Sequence, residues 1–434
     1  MSTIRKDAGW AWVVSFGIFV AYFLESGLVK SLGVLLPDLR EHFSTETWVI
    51  GLAISSVPGF GAVACIISSG LGKLLSYRSI VFLCGSLASM GVIIGSMATS
   101  VSMLAMGLVV TGTFYGAQAA AFASLPRYFD KYFDVVNGIA HAGLACGVMV
   151  MPLVTQFLLD VYGWRGTMLI LGSLTAHIVV SGVLLRPVRE ETQDVCISSD
   201  LEEDTQKGKQ DSLITNVITA FDLHLFLNID FVSLTCIAAA TGYYYTGWLI
   251  YLVPHAEDLG FSPYASSGLA TFGGIGNLIG SCIFPLLTKV LSQTKVIIIV
   301  ANILVFISLA VDPILSASHS YIGLTLASLV LNVGNALWGC CGCKEMSTVV
   351  AKDVYATALN WFYIGYALGS LCSGFLSGWL FDKYGNYTAS FLFLSILPLL
   401  SLTPMVLNML RSSIRRKRRK RRKGHQYTPA PVSL

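Results

Sequence analysis

The stretch WAWVVSFGIFVAYFLESGLVKSLGVLL, residues 10–36, decides the fold, because it is apolar along its whole length except for Glu25 and Lys30. As a helix from residue 11 to residue 36 it is about 39 Å long, enough to cross a bilayer core of about 30 Å. An ionisable side chain inside such a span costs at least about 2.5 kcal/mol and normally faces water or a partner. Glu25 and Lys30 are therefore candidate functional residues. The alternative is that Lys30 extends to the membrane surface along its aliphatic chain.

The composition of the whole chain agrees with a membrane protein. Of its 434 residues, 54% are hydrophobic and 12% are charged, whereas soluble domains have about 25% charged residues. The mean hydropathy is +0.70. The first apolar run is too long for the core of a cleavable signal peptide. Because the sequence has no nucleotide-binding loop, nucleophile elbow or zinc motif, we expect neither an enzyme nor a cofactor, metal or nucleic-acid partner.

Apolar runs divide the chain into two groups of six. The predicted spans are 11–36, 47–71, 80–98, 102–125, 135–159, 166–185, 229–253, 265–287, 296–314, 321–345, 356–380 and 387–410. Between the groups, the segment 186–228 is too charged to cross the membrane and predicts a polar linker. This pattern predicts an all-α membrane protein with the 6+6 architecture of major facilitator transporters, whose halves are related by a pseudo-two-fold axis. The predicted domains are the N-terminal segment 1–10, the half 11–185, the linker 186–228, the half 229–410 and the tail 411–434.

Basic residues predict the orientation. An even number of spans puts both termini on one side, together with Arg5, Lys6, Arg127, Lys131 and ten Lys or Arg residues in 411–423. By the positive-inside rule, both termini and the linker are cytoplasmic. The basic run 415–423 directly follows the last span, so we expect it to contact anionic lipids of the inner leaflet at about 1 kcal/mol per residue.

Two motifs carry a family resemblance. Asp7-Ala8-Gly9-Trp10-Ala11-Trp12 opens the first span, and Tyr128-Phe129-Asp130-Lys131, followed by Gly138 and Gly143, opens the fifth. In position and order they resemble the two signatures of the monocarboxylate transporter family of the major facilitator superfamily. The residues that match these signatures are Asp7, Gly9, Trp10, Trp12, Tyr128, Phe129, Lys131, Gly138 and Gly143.

The resemblance implies a solute carrier of the plasma membrane that moves a small monocarboxylate or related organic anion by alternating access. It also implies a single-span ancillary glycoprotein of the immunoglobulin type as a partner. Lys30, within Val29-Lys30-Ser31 and followed by Gly33-Val34, matches the family's substrate-binding lysine in the first span.

The eighth span departs from the family pattern. Lactate carriers of the family have an Asp and an Arg four residues apart in this span, and alignment through Thr271-Phe272 puts Gly274 and Leu278 at these positions. Proton symport is therefore left open. One alternative is a carrier of a zwitterionic or neutral metabolite, such as creatine, carnitine or an aromatic amino acid, without proton coupling. Another is a sensor or scaffold that retains the fold and transports nothing.

The tenth span contains a second pair of charges, Lys344 and Glu345. In this superfamily the first, fourth, seventh and tenth spans line the central cavity, so Lys30 and Lys344 would both bind the substrate. Glu25 and Glu345 would then act as counter-charges or proton acceptors. The alternative is that Lys344 and Glu345 lie at the cytoplasmic end of the span as solvated charges.

Aromatic residues mark the seventh span. Tyr244, Trp248 and Tyr251 are spaced to share one helical face, either as a wall of the cavity or as packing. We take Tyr244 and Trp248 as candidate substrate-binding residues, because a buried Tyr hydroxyl or indole N–H seeks a polar partner. At the outer end of this span, we expect His255 to lie in an exposed loop.

Overall fold

The computed structural model describes residues 7, 9–71, 76–115, 125–129, 131–185, 222–291, 293–351 and 354–425. All regular secondary structure in these ranges is helical. Most of the predicted linker, from residue 186 to residue 221, lies outside the described residues, as do Arg5, Lys6 and the tail beyond residue 425.

The described residues of the first half form eight helices. They are α1 (Trp10–Val34), α2 (Leu36–Phe43), α3 (Thr47–Leu71), α4 (Tyr77–Ser96), α5 (Val101–Tyr115), α6 (Leu125–Tyr128), α7 (Phe133–Thr175) and α8 (Ile178–Leu184). The long α7 contains the fifth and sixth predicted spans. It is interrupted at Gly163, whose φ of 63° and ψ of 177° are not helical, and a positive φ of this kind favours glycine.

The second half begins with a 3₁₀ helix, Leu223–Leu227. Seven helices follow in the ranges that the structure describes: α9 (Ile229–Asp258), α10 (Pro263–Val290), α11 (Thr294–Ala310), α12 (Asp312–Ala317), α13 (Tyr321–Val349), α14 (Tyr355–Tyr384) and α15 (Thr388–His425).

Where the structure describes them, the predicted apolar runs lie in these helices, with boundaries that differ by a few residues. Residues 116–124 of the fourth run lie outside the described residues. Among the described residues, eight helices are long and apolar enough to cross a membrane, and the apolar segments 47–62 and 101–114 are shorter. The all-α membrane fold is therefore confirmed, while the count of twelve spans and the domain boundaries stay predictions.

The two halves contact each other mainly through three helix pairs, α1 with α9, α3 with α14 and α7 with α10. Glycines allow close backbone approach in each pair. A Cβ atom on Gly33 would lie 2.6 Å from the carbonyl oxygen of Leu249, and one on Gly51 would lie 2.6 Å from that of Gly374. Such contacts let helices associate through van der Waals packing in lipid.

These contacts close one end of the bundle. We call the end where α8 stops and α9 starts the linker end, and the opposite end the far end. At the far end, the Asp382 carboxylate of α14 accepts hydrogen bonds from the backbone N–H groups of Thr47 (3.1 Å) and Trp48 (3.0 Å) at the start of α3. The Tyr264 hydroxyl of α10 donates to Asp160 of α7 at 2.8 Å. The structure is thus closed at its far end by bonds between the halves.

Candidate functional site

Lys30 is the one Lys, Arg, Asp or Glu that is buried among the described side chains of the first half. Its side chain is 0% exposed, and its ammonium donates to the backbone carbonyl oxygens of Leu249 at 2.9 Å and Trp248 at 3.2 Å. Both hydrogen-bond partners belong to α9, in the second half. Because they are neutral carbonyl groups, they satisfy two of the three N–H donors but leave the positive charge of Lys30 uncompensated.

Trp248 forms one side of the Lys30 site. The Lys30 ammonium lies 4.4 Å from the Trp248 ring centroid, within cation–π range. The indole stacks on Tyr245 at 5.9 Å with an angle of 9° between the ring planes. The edge of the indole occupies the space that a Cβ atom would need at Gly273 of α10. Trp248 is therefore held between α1 and α10, with one face toward the cation.

Tyr244 lies one turn before Trp248 on α9 and is fully buried. Its hydroxyl donates to the Asn335 side-chain oxygen of α13 at 3.3 Å. Three residues earlier on α13, Asn332 is also fully buried and donates from its amide nitrogen to the Ser328 carbonyl at 2.9 Å. Neither asparagine was predicted from the sequence as a site residue. Their presence in an apolar span was the available signal, because a buried amide requires partners.

Glu25 is not an ion-pair partner of Lys30 in this structure. The two residues are five positions apart on α1, which places them on different sides of a helix with 3.6 residues per turn. Glu25 is partly buried. Its predicted role as a counter-charge or proton acceptor stays a prediction.

Lys344 and Glu345 lie near the linker end of α13. Lys344 is exposed, whereas Glu345 is 7% exposed and lies 3.9 Å from the Lys295 ammonium. Lys295 in turn pairs with Asp230 at 2.7 Å. Lys344 is nine residues beyond the Tyr244 partner on α13, about 13.5 Å along the helix axis. The structure thus places Lys344 well away from Lys30 in depth, and its role in substrate binding stays a prediction.

The prediction of an exposed His255 was wrong. The residue is 1% exposed, and its Nε2 atom lies 3.2 Å from the Asp312 carboxylate and 3.1 Å from the Ser316 hydroxyl. Its ring packs against Phe391 at 4.7 Å. The reason is that α9 continues to Asp258, beyond the predicted end of the span, so His255 stays inside the bundle.

The two signature motifs contact each other at the linker end. The Asp7 carboxylate accepts hydrogen bonds from the backbone N–H groups of Lys131 and Tyr132, both at 3.3 Å. Trp12 packs edge-on against Phe129 at 5.4 Å. These contacts join the start of α1 to the α6–α7 connection, so the signatures form one structural unit outside the Lys30 site.

Among the other signature residues, Trp10 and Gly143 hold helices together, whereas Gly138 and Gly9 have open space beside them. The Trp10 indole donates to the Leu184 carbonyl at 2.9 Å, which ties α1 to the end of α8. Gly143 lies directly against the backbone of Phe19, with no room for a side chain. Gly138 and Gly9 have no atom within 4 Å of the position that a Cβ would occupy.

Comparison with known proteins agrees with this architecture. The profile of the Major Facilitator Superfamily matches residues 14–350. Mouse monocarboxylate transporter 11 is 30% identical over 407 residues, covering 89% of this chain and 84% of the relative. Rat monocarboxylate transporter 13 is 29% identical over 401 residues, covering 90% of this chain and 86% of the relative. The chain belongs to the monocarboxylate transporter family of the major facilitator superfamily. The family consists of multi-pass membrane transporters, so the protein is a membrane transporter and not an enzyme.

Solved structures show that this family's fold is shared more widely. A POT family transporter in complex with 5-aminolevulinic acid superimposes with a TM-score of 0.71 at 13% identity, covering 90% of this chain and 95% of that one. The nucleoside transporter NupG has a TM-score of 0.68 at 14% identity, with coverages of 92% and 99%. These similarities support the major facilitator fold.

The structure also gives a physical reason for the glycine at position 274 of this member of the monocarboxylate transporter family, where lactate carriers of the family have an aspartate. A Cβ atom on Gly274 of α10 would lie 2.6 Å from the backbone nitrogen of Met149 on α7. Thr271, one turn earlier, donates to the Met149 carbonyl at 2.9 Å. An aspartate side chain at Gly274 would not fit in this closed arrangement, so glycine here permits direct contact between the halves.

Proposed function

We propose that this protein carries a small monocarboxylate or related carboxylate-bearing solute across the plasma membrane by alternating access, with both termini cytoplasmic. The observation that supports this most is the buried Lys30 ammonium with neutral hydrogen-bond partners from the other half. A substrate carboxylate would supply the missing negative charge. The names of the relatives, monocarboxylate transporters 11 and 13, support the same substrate class.

In the proposed mechanism, the substrate carboxylate and the α9 carbonyls compete for Lys30. When the far end opens, α1 separates from α9 and the ammonium loses the Trp248 and Leu249 carbonyls. A carboxylate then binds through charge-assisted hydrogen bonds, which are stronger than those to neutral acceptors. Closure brings the halves together around the neutralised lysine. Because the carbonyls satisfy the same donors in the empty carrier, the unloaded protein can also close.

We propose that transport depends less on protons than in a symporter, because Gly274 and Leu278 replace the family's ionisable pair. Glu25 and Glu345 are the remaining candidates for proton uptake. The proposed partners outside the substrate are anionic inner-leaflet lipids at 415–423 and a single-span ancillary glycoprotein. Neither partner contributes to the Lys30 site in this proposal.

A zwitterionic or neutral metabolite is the second candidate substrate class. The observation that favours it is the set of uncharged hydrogen-bonding groups beside Trp248, namely the Tyr244 hydroxyl and the Asn332 and Asn335 amides. Such groups bind hydroxyl or amine functions without requiring a second charge on the protein.

The test is uptake of a radiolabelled panel by cells that express the protein, with vector-only cells as control. The panel contains lactate, pyruvate, creatine, carnitine, aromatic amino acids and thyroid hormone, each at two external pH values. Saturable uptake of at least one carboxylate above the vector control is expected. The absence of uptake for every compound, with the protein present at the surface, would contradict the carrier and favour a sensor or scaffold.

A further inference from the structure

Two buried polar atoms next to the Lys30 site have no hydrogen-bond partner within the described part of the chain. They are the indole Nε1 of Trp248 and the side-chain oxygen Oδ1 of Asn332. Trp248 is 1% exposed and Asn332 is 0% exposed. Buried polar atoms in native proteins are nearly always paired, so each of these two requires an explanation.

The two residues border the same small region. Both pack against Gly273: a Cβ atom there would lie against the Trp248 Cζ2 atom and 2.9 Å from the Asn332 amide nitrogen. The Lys30 ammonium lies over the same Trp248 ring, 4.4 Å from its centroid. The Trp248 indole is therefore next to both the cation and the Asn332 amide.

The orientation of the Asn332 amide follows from its environment. Its nitrogen lies 2.9 Å from the Ser328 carbonyl oxygen, an acceptor that requires an N–H group opposite it. The reverse orientation would place two carbonyl oxygens in contact. The Oδ1 atom is thus the free group of Asn332, and it can only accept a hydrogen bond.

We infer that Asn332 is the second anchoring residue of the substrate site, where it accepts a hydrogen bond from an O–H or N–H donor on the transported molecule. The inference rests on the proposed function, in which Lys30 holds the substrate carboxylate. A hydroxyl group suits the site, because it can donate to Asn332 Oδ1 and accept from Trp248 Nε1. The substrate class is accordingly a short carboxylate that carries a hydroxyl or amine group.

This arrangement selects against carboxylates with an apolar remainder. A site built to hydrogen-bond a substrate hydroxyl discriminates strongly against an analogue without it, because the polar groups of the site stay unpaired. We expect wild-type protein to take up lactate with an apparent affinity about tenfold higher than that for propionate, and 3-hydroxybutyrate likewise over butyrate.

The chain contains a matched control in Asn302 of α11. Asn302 is 1% exposed, donates to the Ile298 carbonyl at 2.9 Å and also has an unpartnered side-chain oxygen. Like Asn332, it donates to the carbonyl four residues earlier on its own helix. Its described contacts include neither Trp248 nor Lys30. Asn302→Leu therefore reproduces the cost of placing leucine at a buried asparagine without changing the proposed site.

The experiment measures concentration-dependent uptake of the two substrate pairs, normalised to surface protein, for wild type, Asn332→Leu, Asn332→Ser and Asn302→Leu. Asn332→Leu and Asn332→Ser should reduce the affinity for the hydroxylated acids about tenfold and leave that for the deoxy acids within about twofold. Asn302→Leu should retain the wild-type preference. Serine is included because it is small and polar and so avoids overpacking if leucine prevents surface delivery.

A preference that survives in either Asn332 variant, or that is absent in wild type, would overturn the inference. Lys30→Gln separates this result from a failure of the proposed function, because loss of Lys30 should weaken uptake of both members of each pair. If Lys30→Gln changes neither member while Asn332 variants lose the preference, the amide site stands and the role of Lys30 is wrong.

Discussion

The Lys30 ammonium donates a hydrogen bond of 2.9 Å to the carbonyl oxygen of Leu249, which joins the two halves of the transporter at a buried cation. The same ammonium lies over the ring of Trp248. A cation that holds the halves together in the closed arrangement must be released when they separate, so in the proposed mechanism this bond links substrate binding to conformational change.

The first prediction follows from that bond. Lys30→Gln removes a charge-assisted contact to the substrate, so the apparent affinity should fall about ten- to hundredfold. Lys30→Arg keeps the charge but changes its shape, so partial activity is expected. Concentration-dependent uptake normalised to surface protein measures both, with Lys289→Gln on the exposed end of α10 as control. Indistinguishable curves for wild type and Lys30→Gln would remove Lys30 from the site.

The second prediction concerns proton coupling. Since the eighth span has no aspartate at Gly274, uptake should change by less than about threefold per unit of external pH, whereas strict coupling to one proton gives about tenfold. The measurement is initial uptake between pH 5.5 and 7.5 for wild type, Glu25→Gln and Glu345→Gln. A tenfold rise per unit of acidification that disappears in one of the two variants would identify that glutamate as a proton carrier instead.

The third prediction tests the closure at the far end. Asp382→Asn weakens the hydrogen bonds to the Thr47 and Trp48 backbone, so the far end should open more often, by about three- to tenfold. A Val34→Cys reporter at the end of α1, which is 1% exposed here, should then react faster with a membrane-impermeant maleimide.

The matched control for this variant is Glu46→Gln. Glu46 accepts from the Trp48 indole within the same half, so its loss should leave the labelling rate unchanged. Equal rates in Asp382→Asn and wild type would show that the carboxylate does not hold the far end closed.

The fourth prediction concerns pH and stability. Burial raises the pKa of Asp38 in α2, and the nearby Glu41 and Asp160 carboxylates raise it further, against a backbone hydrogen bond that lowers it. A raised carboxyl pKa means that the folded protein loses stability as pH rises from the ordinary value of 3.8 through the folded value. The Tm of Asp38→Asn minus that of wild type should therefore be higher at pH 7 than at pH 4, by about 1 °C.

The measurement is thermal unfolding in detergent at both pH values. Asp258→Asn, which removes a carboxylate at the last residue of α9, serves as the comparison. A difference in Tm that stays constant or grows on acidification would contradict the assigned sign.

The fifth prediction concerns the basic tail. Replacing the Lys and Arg residues of 415–423 by Gln should weaken association with the inner leaflet and lower the surface level, because each basic residue contributes about 1 kcal/mol near anionic lipid. Uptake per surface molecule should stay within about twofold of wild type, since the tail is remote in sequence from the Lys30 site. Normal surface level with lost turnover would instead assign the tail a role in transport. Surface biotinylation combined with uptake distinguishes the two.

Much of the fold could be predicted from the sequence because crossing a membrane is a local requirement. Length and hydropathy place the apolar runs, and α1 and α3 lie almost where the runs 11–36 and 47–71 predicted them. Lys30 was identified for the same reason, since a cation within an apolar span is costly whatever surrounds it. The family signatures were also visible as local motifs.

Contacts between distant segments were decided by the tertiary structure. His255 was expected in a loop, but the packing of α9 against α12 and α15 buries it beside Asp312. Nothing in the local sequence of Asn332 distinguishes it from Asn302, and only the neighbouring Trp248 singles out Asn332 as the proposed site residue. Spans follow from the solvent preference of each segment, whereas partners depend on how helices far apart in sequence pack side by side.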